Sequence, residues 1–131
     1  MRLSYLFMMI GILSVAAHAA DQKLHSKVAA AVDAALRSDA RAFSNVVSPE
    51  AKLDVNKKPL EPATIDVIQR AFKGCVARPP MGKDPENQVT LLWDCKDDPM
   101  LAAFNFEGGK IVLIRTLPNF RPISPPSTER G

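Results

Sequence analysis

Two apolar runs flank the polar stretch Glu107-Gly108-Gly109-Lys110. Gly-Gly supplies the positive φ angles that a tight hairpin turn requires. Before the turn, Ala102, Phe104 and Phe106 fall on one strand face, with Leu101, Ala103 and Asn105 on the other. After it, Val112, Ile114 and Thr116 alternate with Ile111, Leu113 and Arg115. The pattern predicts a hairpin over 100–117 at the centre of an antiparallel sheet. Residues 88–96 alternate too, with Val89, Leu91, Trp93 and Cys95 on one face, which predicts a further strand. Residues 76–80 suit a short strand, blunted by Pro79-Pro80.

The earlier half has a helical period. Leu24, Val28, Val32, Ala35, Leu36, Phe43, Val46 and Val47 make one stripe, with Lys23, Lys27, Asp33, Arg37 and Arg41 between them. Ser38-Asp39 reads as a break and cap, giving one helix to Arg37 and a second from Ala40 to Val47; a continuous helix is the alternative. Ser48-Pro49-Glu50 ends the segment or opens one more turn. Leu53 to Val55 suits a short edge strand. Pro62 stands at a first helical position, and Ile65, Ile68, Ala71 and Phe72 share a face up to the stop at Gly74. Helices first and strands after predict an α+β fold, N-terminal helices packed on a curved antiparallel sheet.

The first residues carry a different signal. Arg2 precedes an apolar run over 3–17, followed by Ala17-His18-Ala19, the pattern of a cleaved secretory signal peptide over 1–19. The run is short for a membrane span, and no lipobox cysteine follows. The expected division is a leader at 1–19, one α+β domain at 20–123 and a disordered polar tail at 124–131. The expected location is periplasmic or secreted, with no stable membrane insertion after cleavage. In such a compartment the only two cysteines, Cys75 and Cys95, read as a disulfide. The formal net charge of +3 is interspersed, without the clustered basic stripe of a nucleic-acid binder.

Three stretches resemble the nuclear transport factor 2-like superfamily, the cone-shaped α+β fold of ketosteroid isomerases and SnoaL-like cyclases. They are Ala35 to Leu53 (ALRSDARAFSNVVSPEAKL), Lys58-Pro59-Leu60 with the helix opening at Pro62, and Phe104 to Ile111 (FNFEGGKI). A cystatin-like helix-on-sheet fold is the rival. The resemblance implies a pocket between the concave sheet face and the helices; it does not imply catalysis. Isomerase chemistry asks for a carboxylate base with a tyrosine and a protonated acid. The only tyrosine, Tyr5, lies in the expected leader, and His25, the sole histidine beyond it, falls early in the first helix.

The remaining chemistry is sparse. Arg78 and Arg115 lie on expected strands and could hold an anionic ligand. Trp93, Phe104 and Phe106 could line an apolar pocket, although aromatic residues on strands commonly form plain core. Asp39 could act as a base, but capping explains it; Asp94, Asp97 and Asp98 cluster near a strand end, where a solvated turn explains them. No phosphate loop, zinc motif or nucleophile elbow is present, so no cofactor or metal is expected. These readings describe an exported non-catalytic binding or accessory protein. Its partner would be a small apolar ligand or a protein, and a homodimer through the sheet remains open. The alternative is a small isomerase- or hydrolase-like enzyme with a carboxylate base in an apolar pocket.

Overall fold

The computed structural model describes residues 23–56, 58–80, 82–96 and 98–118. The expected leader at 1–19 and tail at 124–131 lie outside the described residues, as does Asp97. Residues 23–36 form helix α1. It stops where Ser38 takes a φ of 57°, with Ser38 N–H donating to the Ala35 carbonyl and Asp39 N–H to that of Ala34. These two bonds satisfy carbonyls that a helix end leaves open. Asp39 then caps the next helix, α2 (Ala40–Val46), its carboxylate accepting from Ala42 N–H at 3.1 Å. Two helices with a capped break are therefore realised, not one continuous rod.

Strand β1 (Val47–Val55) follows directly. It corrects two expectations: the helical segment does end before Ser48-Pro49-Glu50, but that stretch is strand and opens no further helical turn, and Leu53 to Val55 belongs to a nine-residue inner strand. Pro49 falls where the register shifts between Val47 and Lys52, so its missing N–H interrupts no regular pairing there. Strand β2 (Glu61–Pro62) pairs back on β1. Helix α3 (Ile65–Phe72) begins three residues later than Pro62, because the Thr64 hydroxyl caps it by accepting from Val67 N–H.

Strands β3 (Val76–Ala77), β4 (Gln88–Asp94), β5 (Pro99–Glu107) and β6 (Lys110–Pro118) complete a curved, unclosed sheet of six strands in the order β2-β1-β6-β5-β4-β3. The expected hairpin is β5–β6, turning at Gly108 and Gly109, both at positive φ. All neighbours run antiparallel except β1 and β6, which are parallel, so the sheet is mixed. A register shift pairs Phe106 with Ile111 but Asn105 with Leu113. The extra residue, Val112, turns Ile111 inward beside Ile114 and Thr116, where simple alternation would have placed Val112.

All three helices feed the core that lies against one sheet face. Val28, Ala31, Val32, Ala34 and Ala35 of α1, Phe43 of α2, and Ile68 and Phe72 of α3 pack with Val89, Phe104, Ile111 and Ile114. Leu36, expected on the buried stripe, is 42% exposed, and Ala31 and Ala34 take the inner positions. Polar ties fix the layers: Lys27 Nζ donates to the Gly109 carbonyl at 2.6 Å, and Gln69 Nε2 to the Ala35 carbonyl at 2.8 Å. Cys75 and Cys95 form a disulfide, Cα atoms 3.9 Å apart, that ties the end of α3 to the end of β4. Among the described residues no helix is long and apolar enough to cross a membrane.

Candidate functional site

A cleft of about 440 Å³ opens between α3 and the β1–β6 side of the inner sheet face. That volume lies within the range that holds small molecules. Strand pairing explains its floor. Leu91, Ala102, Thr116 and Val55 stand in one row across β4, β5, β6 and β1, and Val89, Phe104, Ile114 and Leu53 in the next. Leu53, Val55, Met100 and Thr116 reach the cleft from these strands, and Val67, Arg70 and Ala71 line it from α3. The wall arises because α3 is amphipathic: Ile68 and Phe72 are buried, while Val67 and Ala71, on the adjoining face, are half-buried.

Four of its lining side chains are polar or charged. Thr116, 4% exposed, is the one buried polar residue among those described, and it lines this cleft. Lys58, Glu61 and Arg70 are its charged members, all more exposed than Thr116, and the exposed Pro59 and Pro118 complete the lining. Arg70 and Glu61 form an ion pair at 3.8 Å with side chains 69% and 45% exposed, a pair worth little in water. No carboxylate of the described residues pairs with Lys58. The arrangement can enclose an apolar body, offer it one hydroxyl and meet its outer end with cationic donors.

The residues singled out from the sequence are dispersed. Trp93 and Phe104 are buried with Phe72 in an aromatic cluster, ring centroids 4.9 Å apart for Phe72–Trp93 and 5.8 Å for Phe72–Phe104. The Trp93 indole N–H is buried there with no hydrogen-bond acceptor among the described residues. Trp93 also lines a second groove of about 290 Å³, between α1 and β3–β4, with Val32, Leu36, Val76 and Leu91. Phe106 is core. Arg115 is exposed and pairs in register with Asp54 of β1. Arg78 is exposed and grips Asp94 through two bonds of 2.9 and 2.7 Å. That hydrogen bonding holds the Asp94 carboxyl below its ordinary range. Asp39 is occupied as a cap. Among the described residues no three His, Cys, Asp or Glu side chains gather in a metal-binding group.

Sequence reasoning did not single out Lys58, Glu61, Arg70 or Met100 as lining residues. They come from a loop, an edge strand, a helix and a distant strand, and no local pattern joins them. Thr116 did carry a signal. It is a hydroxyl on the hairpin face that otherwise presents Phe104, Phe106 and Ile114.

No protein-family model and no curated protein matches the chain by sequence. Solved structures do match its shape. An NTF2-like protein of unknown function from Burkholderia xenovorans LB400 superposes with a TM-score of 0.58 at 14% identity, over 84% of this chain and 93% of that one. A candidate polyketide cyclase from Xanthomonas campestris pv. campestris gives 0.52 at 18% identity, covering 73% and 90% of the two chains. A candidate hydroxylase from Streptomyces galilaeus gives 0.53 at 13% identity, covering 83% and 88%. The fold is therefore the NTF2-like cone. Identities this low carry the fold and not its chemistry.

Proposed function

We propose that this chain is an exported binding or accessory protein, periplasmic or secreted, that holds a small apolar ligand in the cleft beneath α3 without transforming it. The observation that carries the reading is the lining of the cleft: an apolar floor and wall, one hydroxyl, and a single acid, Glu61, engaged with Arg70 in an exposed pair. A general base needs a carboxylate within reach of the substrate proton, usually with burial or a like charge to raise its pKa. Asp39 and Asp94, the acids considered for that role, do not line the cleft. Export is supported by the leader-like start of the chain and by the disulfide, a bond that persists in oxidising compartments.

Nile red, an uncharged apolar dye, tests the reading. Titration is expected to give a saturable, one-to-one fluorescence rise that Ala71→Trp abolishes, since an indole on α3 fills the cleft. Far-UV circular dichroism of the variant must remain that of the parent protein. Absence of saturation, or dye binding indifferent to Ala71→Trp, rejects the cleft as the binding site. Turnover of a ketosteroid or polyketide substrate that disappears in Asp39→Asn rejects the non-catalytic role.

A further inference from the structure

We propose that the ligand of this cleft is an amphipathic monocarboxylate, its apolar body on the floor and its carboxylate at the rim between Lys58 and Arg70. The inference rests on the cleft being a binding site and adds the charge of what it binds. Three charged side chains line the cleft, Lys58, Glu61 and Arg70, and together they carry one net positive charge. All three are more exposed than the buried Leu53, Met100 and Thr116, so the charge sits at the solvent end and the apolar surface within.

The rim is also poised to exchange partners. Arg70 reaches Glu61 through one nitrogen at 3.8 Å, beyond ordinary hydrogen-bond length, and both side chains remain solvated. A guanidinium prefers to present two N–H groups to one carboxylate. An incoming carboxylate can take Arg70 in that paired geometry while the Lys58 ammonium supplies a second cation. Glu61 disfavours a dianion, which would exceed the single net charge of the rim, and the two cations disfavour an amine. Met100, Leu53, Val55 and Val67 offer the chain or ring of such an acid a surface without competing donors. The Thr116 hydroxyl can serve a second polar atom deeper in the ligand.

Isothermal titration calorimetry of the full protein with octanoate, octanamide and octylamine at neutral pH and low salt tests this. Octanoate and octanamide differ only in the head group, so a preference between them isolates the rim. Octanoate is expected to bind about tenfold more tightly than octanamide, the scale of one charge-assisted hydrogen bond, and octylamine weakest. Lys58→Gln with Arg70→Gln should bring octanoate down to the affinity of octanamide measured on the same variant; both sites are exposed, so the fold is retained. Equal binding of octanoate and octanamide, or tighter octylamine, overturns the monocarboxylate and leaves the cleft standing. Nile red binding without octanoate binding also overturns it. Failure of Nile red and of all three chains removes the cleft itself.

Discussion

The two sides of the inner sheet face solve the same packing problem differently. Towards β4, the rings of Phe72, Trp93 and Phe104 interlock with centroids 4.9 to 6.2 Å apart, and the groove of about 290 Å³ on that side lies against α1 rather than α3. Towards β1, the facing side chains are Val55, Thr116 and Ala71, and a cleft of about 440 Å³ remains. Helix α3 is the shared wall. Phe72 and Ile68 turn to the filled side, and Val67 and Ala71 to the open one. Side chains one residue apart on a helix diverge by about 100°, so one short helix builds both a plug and a receptacle. The lesson is that the cone fold allows a cavity, and side-chain volume at a few inward positions decides where it lies.

The largest expected effect breaks the filled side. Phe72→Ala should cost about 3–5 kcal/mol, because the ring is fully buried and its neighbours close the space only in part. Val67→Ala, on the half-exposed open side, should cost under about 1 kcal/mol. Urea midpoints of the two variants test the contrast, and equal losses would mean that the open side is packed as tightly as the filled one.

Next in size is the cystine that anchors α3. Replacing both Cys75 and Cys95 with serine should lower stability by about 3 kcal/mol, the loop-closure value for a separation of 20 residues. Because the bond sits at the α3 end, dye binding in the cleft should weaken under conditions where the variant is still folded. Unchanged binding would show that the helix is held by its core side chains alone.

The smallest effect concerns acid. Arg78 depresses the Asp94 carboxyl chiefly by hydrogen bonding. A depressed acid contributes stability above its unfolded-state pKa, and that contribution is lost as pH falls through the lowered folded value. The pair is well exposed, so the gain is small. Arg78→Gln should therefore lower the urea midpoint slightly at neutral pH, with the difference closing in strong acid. A difference of constant size at every pH would assign the effect to the packing of the arginine stem.

Much of the scaffold was legible along the chain. The β5–β6 hairpin follows from alternation around Gly108-Gly109, and the α1–α2 break from Ser38-Asp39, where capping competes with helix continuation. The Cys75–Cys95 bond followed from there being two cysteines in an export-like chain. Pro49 was legible in part: the helix ends before it, as a proline there predicts, but Ser48-Pro49-Glu50 runs on as an irregular stretch of strand instead of opening a turn. The candidate site was far less legible. Aromatic and basic strand residues drew attention, yet Trp93 and Phe104 interlock in the core, and Arg78 and Arg115 stand exposed. The lining residues Lys58, Arg70 and Met100 have unremarkable neighbours in the chain.

The amino-acid order by itself determined the features that near neighbours enforce: the glycine turn, the capped helix starts, the alternating strands and the α+β succession. The parallel pairing of β1 with β6 joins segments about sixty residues apart, with Leu53 facing Ile114, and only the assembled sheet decides it. The extra residue at Val112, the inward turn of Ile111 and the open space beneath α3 were likewise settled by tertiary structure. Local patterns state which face of an element is apolar. Whether the volumes brought against that face fill it depends on partners that come together only when the chain closes.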